Sequence, residues 1–224
     1  MHELNESHLS SILRYLKKFN NVCLAYSGGM DSTLLAYLLI LAGVNFRAFM
    51  IANEFISESR VKSARRIAEK LGFNLEILRV KATDSMLENG EMRCYYCKKQ
   101  MFSKISEFCR GKILDGTNSS DLNKNRPGLK ALKEFGVVSP LAELGLSKPD
   151  VRKMADFLGL EQIPSDSCLA TRINGKITME KLSFVDIAER IALRVLAGRG
   201  FRVEKLRVRI DGTLKVEVIL KFLK

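Results

Sequence analysis

Ser27-Gly28-Gly29-Met30-Asp31-Ser32 lies between an apolar run and a stretch of helical pattern. Peptide N–H groups in such a turn and in the first helical turn converge on an anion, and two glycines let the backbone close around phosphate without Cβ obstruction. Ser32 adds a hydroxyl donor, and Asp31 adds a hard oxygen for Mg²⁺ beside a pyrophosphate. The loop has no Gly-Lys-Ser/Thr ending and no Gly-x-Gly-x-x-Gly pattern, so it is neither a Walker A loop nor a dinucleotide turn. Alone, a Ser-Gly-Gly turn also occurs for steric reasons. The second chemical feature is Cys94-Tyr95-Tyr96-Cys97, two thiols at the start of a predicted helix whose dipole favours the thiolate. One Cys-x-x-Cys serves zinc, iron–sulfur and redox sites alike. A closed zinc site needs two further ligands, and both histidines, His2 and His8, lie at the amino terminus. Cys23 falls in a predicted strand, and Cys109 shares an apolar stripe with Met101, Phe102, Ile105 and Phe108; both read as core thiols. Cys168, in Ser165-Asp166-Ser167-Cys168-Leu169-Ala170-Thr171-Arg172, remains as the third candidate ligand. Three cysteines suit a 4Fe-4S cluster with one iron free of protein ligand, open to exogenous sulfide or substrate.

The elements that must position these residues follow from periodicity. Leu9, Ile12, Leu13, Leu16 and Phe19 form the stripe of an amphipathic first helix. Short apolar runs at 22–26, 46–52, 75–80 and 113–114 alternate with helical patterns at about 31–42, 58–71 and 95–109. Strands alternating with helices predict an α/β fold, a doubly wound parallel sheet. Two more helices are expected at about 128–135 and 148–158, separated by a strand at 137–141 that Pro140 stops. Beyond Pro164 a polar stretch leads to a helix at about 178–197. Two alternating runs then flank Asp211-Gly212, a hairpin signal. The organisation expected is a sheet domain over 1–164 and a small α+β appendage over 165–224.

The 224 residues carry 37 Lys and Arg against 25 Asp and Glu, a net charge of +12, which points to an anionic partner. Residues 190–224 hold ten basic and three acidic residues, so more than half of the excess sits in the appendage. With 46% hydrophobic and 28% charged residues the chain is too apolar for a disordered tail. Its longest apolar or small run, 34–44, is too short to span a membrane. The first residues lack the basic and apolar regions of a signal peptide, so a cytoplasmic protein is expected. Five cysteines fit metal or catalytic thiols better than a disulfide framework.

The loop, preceded by Cys23-Leu24-Ala25-Tyr26, resembles the pyrophosphatase loop of the PP-loop ATPases, which activate a substrate by adenylation. Nearly the whole chain resembles the LarE family, ATP-dependent sulfur transferases of nickel-pincer cofactor synthesis. The resemblance runs through Arg93-Cys94-Tyr95-Tyr96-Cys97-Lys98-Lys99, Asp115-Gly116-Thr117-Asn118-Ser119-Ser120-Asp121, Arg126-Pro127-Gly128 and Ser139-Pro140-Leu141-Ala142-Glu143. It continues in Cys168-Leu169-Ala170-Thr171-Arg172 and Leu206-Arg207-Val208-Arg209.

This resemblance implies a PP-loop fold and an enzyme that adenylates a substrate carboxylate and then delivers sulfur to it. Ser27, Gly28, Gly29, Asp31 and Ser32 would bind ATP and Mg²⁺. Ala25 and Ile51 would meet the nucleotide through backbone, with Gly116 beside the ribose or α-phosphate. Some members spend the sulfur of the cysteine matching Cys168; others hold a 4Fe-4S cluster on cysteines matching Cys94, Cys97 and Cys168, and this chain has all three. Thr171 stands where the family has serine, Arg172 matches the arginine beside it, and Arg207 with Arg209 matches a phosphate-binding pair. Glu217 fits an acidic position near the substrate. The implied partners are a small anionic, nucleotide-like carboxylate and a sulfide or other sulfur donor, in a homo-oligomer, dimer or hexamer. The alternatives are thiolation of tRNA, which the positive charge would suit, and a noncatalytic nucleotide or iron–sulfur sensor.

Overall fold

A computed structural model describes residues 6–122, 127–164 and 166–221; His2, Arg126, Ser165 and Lys224 lie outside them. Helix α1 (Glu6–Leu16) leads into strand β1 (Val22–Ala25), which the phosphate loop joins to α2 (Met30–Leu41). Next come β2 (Phe46–Ala52), α3 (Glu58–Leu71), β3 (Leu75–Arg79), a single turn α4 (Asp84–Leu87), α5 (Arg93–Phe108) and β4 (Ile113–Asp115). The short helices α6 (Ser119–Leu122), α7 (Gly128–Glu134) and α8 (Pro140–Glu143) precede α9 (Lys148–Phe157). A 3₁₀ turn at Leu169–Arg172, α10 (Met179–Gly198) and the hairpin β5 (Arg202–Asp211) and β6 (Thr213–Lys221) complete the order.

The four parallel strands are ordered β3-β2-β1-β4. Their side chains alternate between two apolar layers. Val22, Leu24, Ala48, Met50 and Leu114 face α1, α2, α3 and α9. Cys23, Ala25, Phe49, Ile51 and Ile113 face α5 and α7. A sheet covered on both faces needs such continuously apolar strands. The chain turns from one side of β1 to the other between β3 and β4, so the carboxyl end of β1 lies at a topological switch point, where α/β sheets place ligands.

Two expectations are corrected. The strand expected at 137–141 is one bridging residue, Val138, which donates to Ile113 O at 2.9 Å and accepts from Asp115 N at 3.0 Å. Pro140 has no N–H to extend the ladder and instead begins α8. The core thiols Cys23 and Cys109 form a disulfide. Only a short turn separates α5 from β4, and β4 pairs with β1 so that Ile113 lies beside Cys23, which brings the end of α5 to the start of β1.

The hairpin at Asp211-Gly212 forms as expected, with Gly212 at φ +64°. A third apolar cluster joins Phe55 and Met86 of the sheet region to Leu169, Ala170, Ile173, Ile177, Leu182 and Val185. Cys97 and Cys168 pack against this same cluster.

Candidate active site

The phosphate loop is closed from three sides. Ser27 N–H donates to Ser32 Oγ at 3.3 Å, Ser32 Oγ donates to Gly29 O at 3.0 Å, and the two hydroxyls stand 3.1 Å apart. Gly28 has φ +69°, and a Cβ there would lie 2.9 Å from the Cβ of Ala64 on α3. Gly116 follows β4, and its Cβ would stand 2.7 Å from Ser32 N, so the end of β4 reaches the first turn of α2 only because this residue is glycine. The turn at Gly116 is folded by buried Asp115, whose carboxylate accepts from Thr117 N, Thr117 Oγ1 and Ser139 Oγ, with Lys98 Nζ at 3.4 Å.

Asp31 is fixed by Asn118 Nδ2, which donates to its Oδ1 at 3.1 Å. Asn118 is fully buried, and its Oδ1 has no hydrogen-bond partner among the described residues. Two oxygen donors at the start of α2 fit a hard divalent cation such as Mg²⁺.

A cleft of about 170 Å³ opens at the loop, lined by Ser27, Gly29, Asp31, Arg60, Lys148, Arg152 and Asp166 among others. Its cations come from helix starts. Ser57 caps α3 through Arg60 N, which places Arg60 in the first turn, and its Nε donates to Ser27 O at 3.1 Å. A capping box between Ser147 and Asp150 fixes the start of α9, so Lys148 and Arg152, four residues apart, share one face. A second cleft of about 240 Å³, lined by Cys168, Asp186, Glu189, Arg190 and Lys205, shares Arg60, Pro164 and Asp166 with the first.

Cys94, Cys97 and Cys168 are free thiols, Cys94 exposed and the other two half-buried. Cys94 and Cys97 come from the first turns of α5, and Cys168 directly precedes the 3₁₀ turn. The structure brings all three together closely enough for their charges to interact. Burial, then the Cys168 and Cys94 thiolates, push the Cys97 thiol up to about 11, against an opposing hydrogen bond from Asn53 and the charge of Arg93. Burial also pushes Cys168 up, opposed chiefly by Arg93. Arg93 is held in place by Asn89 and by Ala170 O, and its Nη2 lies 3.8 Å from Cys94 Sγ. Among the described residues no three Cys, His, Asp or Glu side chains form a single-ion site. As a donor set, three cysteine sulfurs have the chemistry that holds an iron–sulfur cluster.

The expected substrate residues are held by protein partners. Arg172 is 1% exposed and bonds Asp166 at 2.6 Å and Glu189 at 3.0 Å, while its Nη1 donates to Ser167 O at 3.0 Å and reaches Cys168 O at 3.5 Å. Thr171 Oγ1 donates to Cys168 O at 2.8 Å. Arg209 joins this group, donating to Thr171 O at 2.8 Å and pairing with Glu217 at 2.6 Å. Arg207 Nε is buried with no acceptor among the described residues. Ala25 is the last residue of β1, directly before the loop, and Ile51 is the next-to-last residue of β2. Sequence reasoning missed Arg60, Lys148, Arg152 and Asp166; the capping patterns Ser57-x-x-Arg60 and Ser147-x-x-Asp150 marked the helix starts that carry three of them.

The NAD synthase family model matches residues 5–108. An uncharacterized protein of Methanocaldococcus jannaschii is 34% identical over 92% of this chain and 87% of its own length. The pyridinium-3,5-bisthiocarboxylic acid mononucleotide synthase of Lactiplantibacillus plantarum is 33% identical over 67% of this chain and 58% of its own length. Among solved structures, the U34-tRNA thiolase NcsA of Methanococcus maripaludis with its [4Fe-4S] cluster superposes with a TM-score of 0.55 at 18% identity, covering 89% of this chain and 80% of that one, which shows a shared fold. With a closed phosphate loop at the sheet's switch point and relatives of this kind, the chain belongs to the LarE family of PP-loop enzymes, ATP-dependent sulfur transferases.

Proposed function

We propose that the protein converts a carboxylate of a small nucleotide-like substrate, of the pyridinium mononucleotide class, into a thiocarboxylate. The observation that carries this reading is the shared wall of the two clefts: Arg60, Pro164 and Asp166 border both the phosphate loop and Cys168. A substrate carboxylate oxygen attacks the α-phosphorus of ATP and pyrophosphate leaves. Sulfur then attacks the acyl carbon, AMP leaves with the bonding electrons, and the thiocarboxylate forms. Asp31 would hold Mg²⁺, and the loop N–H groups, Ser27 and Ser32 would hold the phosphates. Cys94, Cys97 and Cys168 would hold a 4Fe-4S cluster, which when bound supplies sulfide from the iron that has no protein ligand. The unpartnered Nε of Arg207 and the neighbouring Arg209 would meet the substrate phosphate.

The test is iron and acid-labile sulfide on anaerobically purified protein beside Cys168→Ala, then assay with ATP, Mg²⁺, sulfide and the pyridinium-3,5-dicarboxylate mononucleotide. About four irons per chain, lost in Cys168→Ala, with several thiocarboxylates formed per enzyme, support the reading. No iron, with one sulfur transferred and Cys168 converted to dehydroalanine, supports sacrifice of the Cys168 sulfur. The net charge of +12 and the fold shared with a tRNA thiolase favour one further reading, sulfur transfer to tRNA. Labelled sulfur recovered in tRNA and absent from the mononucleotide would establish it.

A further inference from the structure

Arg60 touches both halves of the cleft. Its Nε is anchored on Ser27 O at 3.1 Å, a Cβ on Gly29 would lie 3.5 Å from its Nη2, and its side chain is only 20% exposed. Its Nη1 reaches the Asp166 carbonyl at 3.4 Å and the Asp166 carboxylate at 3.8 Å. That carboxylate also binds Arg172 at 2.6 Å, and Arg172 holds the carbonyls of Ser167 and Cys168. A continuous chain of polar contacts therefore runs from the phosphate loop to the backbone of Cys168.

We propose that Arg60 contacts the ATP phosphates and that Asp166 competes with them for its guanidinium. The inference rests on the ATP-adenylating reading of the loop. The Asp166 carboxylate is half-exposed and its contact with Arg60 is long, so this ion pair is weak. Phosphate oxygens accept two parallel N–H bonds from a guanidinium and bind it more strongly than one distant carboxylate does. The bond to Ser27 O keeps the side chain at the loop mouth whichever anion it holds. There it neutralises charge that grows on the pyrophosphate leaving group. A guanidinium drawn onto phosphate leaves Asp166 to Arg172, so phosphate binding and the setting of the Cys168 backbone are energetically linked.

The test measures binding of α,β-methylene-ATP with Mg²⁺ by calorimetry in the full chain, in Arg60→Lys, Arg60→Ala, Asp166→Asn and the double variant Arg60→Ala/Asp166→Asn. Arg60→Ala should weaken binding about 10-fold or more, and Arg60→Lys should recover part of the loss. Asp166→Asn should tighten binding about 3-fold in the presence of Arg60 and leave it unchanged beside Arg60→Ala. A purely structural role for Arg60 would not produce that Arg60-dependent gain. Equal affinity of wild type and Arg60→Ala, or tightening by Asp166→Asn that persists without Arg60, overturns the proposal. Wild-type protein that binds no analogue overturns the adenylating reading as well. Should Asp166→Asn fail to fold by circular dichroism, the order wild type, Lys, Ala at position 60 decides alone.

Discussion

The disulfide between Cys23 and Cys109 closes a loop across 86 residues of sequence and ties the start of β1 to the end of α5. These two elements carry the phosphate loop and the Cys94-x-x-Cys97 pair at their opposite ends, so the strap fixes the frame on which both sites are built. The chain-entropy relation for a loop of that length gives about 4.6 kcal/mol of stabilisation. With an unfolding entropy of roughly 2.1 cal/mol/K per residue, this is a melting-temperature difference of about 10 °C for the 224-residue chain. The assay is guanidinium unfolding of iron-free protein followed by circular dichroism, beside thiol titration of the unfolded chain. Three thiols should titrate before reduction and five after it, because Cys94, Cys97 and Cys168 are free. Cys23→Ala, Cys109→Ala and the double variant should lose similar amounts, since each breaks the same bond, with about 1 kcal/mol more wherever the buried Cys23 sulfur is removed. Dithiothreitol should shift the wild-type midpoint toward that of the variants and leave the variants where they are. Five thiols in the untreated protein, or a wild-type midpoint that reduction does not move, would refute the reasoning.

Gly116→Ala places a Cβ 2.7 Å from the amide of Ser32, so it should destabilise the fold by about 1–3 kcal/mol in urea unfolding and abolish binding of α,β-methylene-ATP. Arg172→Ala leaves Glu189 and Asp166 without their buried cation, and a loss of about 3–5 kcal/mol is expected in the same assay. Because burial and the neighbouring thiolates hold Cys97 protonated up to about pH 11, its alkylation by iodoacetamide in iron-free protein should be slow at pH 8 and rise with pH until that value. Peptide mass mapping should find the exposed Cys94 modified first. For the same group the sign of the stability change follows: the folded state keeps its proton longer than the unfolded chain, so Cys97 contributes stability that is complete below its unfolded pKa near 9 and declines toward 11. Cys97→Ser should remove that part of the alkaline decline.

Reading of the sequence succeeded where one element's own residues decide the outcome. The runs at 46–52 and 58–71 coincide with β2 and α3, because apolar period and a Ser57 cap are local signals. Asp211-Gly212 marks its hairpin because glycine takes the positive φ of the turn. The first helix spans Glu6–Leu16, three residues short of the stripe ending at Phe19: the chain leaves the helix after Leu16, yet Phe19 still packs on the same core layer, so the stripe outlasts the backbone geometry. Long-range pairings were not legible. Nothing in the neighbourhood of Cys23 or Cys109 announces that the β1–β4 register will bring them together across the sheet.

The site divides in the same way. Ser27 to Ser32 and the Cys94–Cys97 pair were visible because loop chemistry and thiol spacing are properties of short segments, whereas Cys168 was reached as the cysteine left once Cys23 and Cys109 were read as core thiols. Arg60, Lys148 and Arg152 sit on helices with ordinary amphipathic patterns, where a basic residue reads as part of a solvated face, and only the stacking of α3 and α9 around the end of β1 turns them toward one cleft. Arg172 shows the converse. Its motif marks it for an anion, and the structure gives it two, Asp166 and Glu189, both from the protein. A cation 1% exposed and doubly paired is an organiser of the Cys168 backbone, through Ser167 and Cys168 carbonyls, before it is a binder of anything else. Arg207, by contrast, keeps a buried Nε that no described residue satisfies.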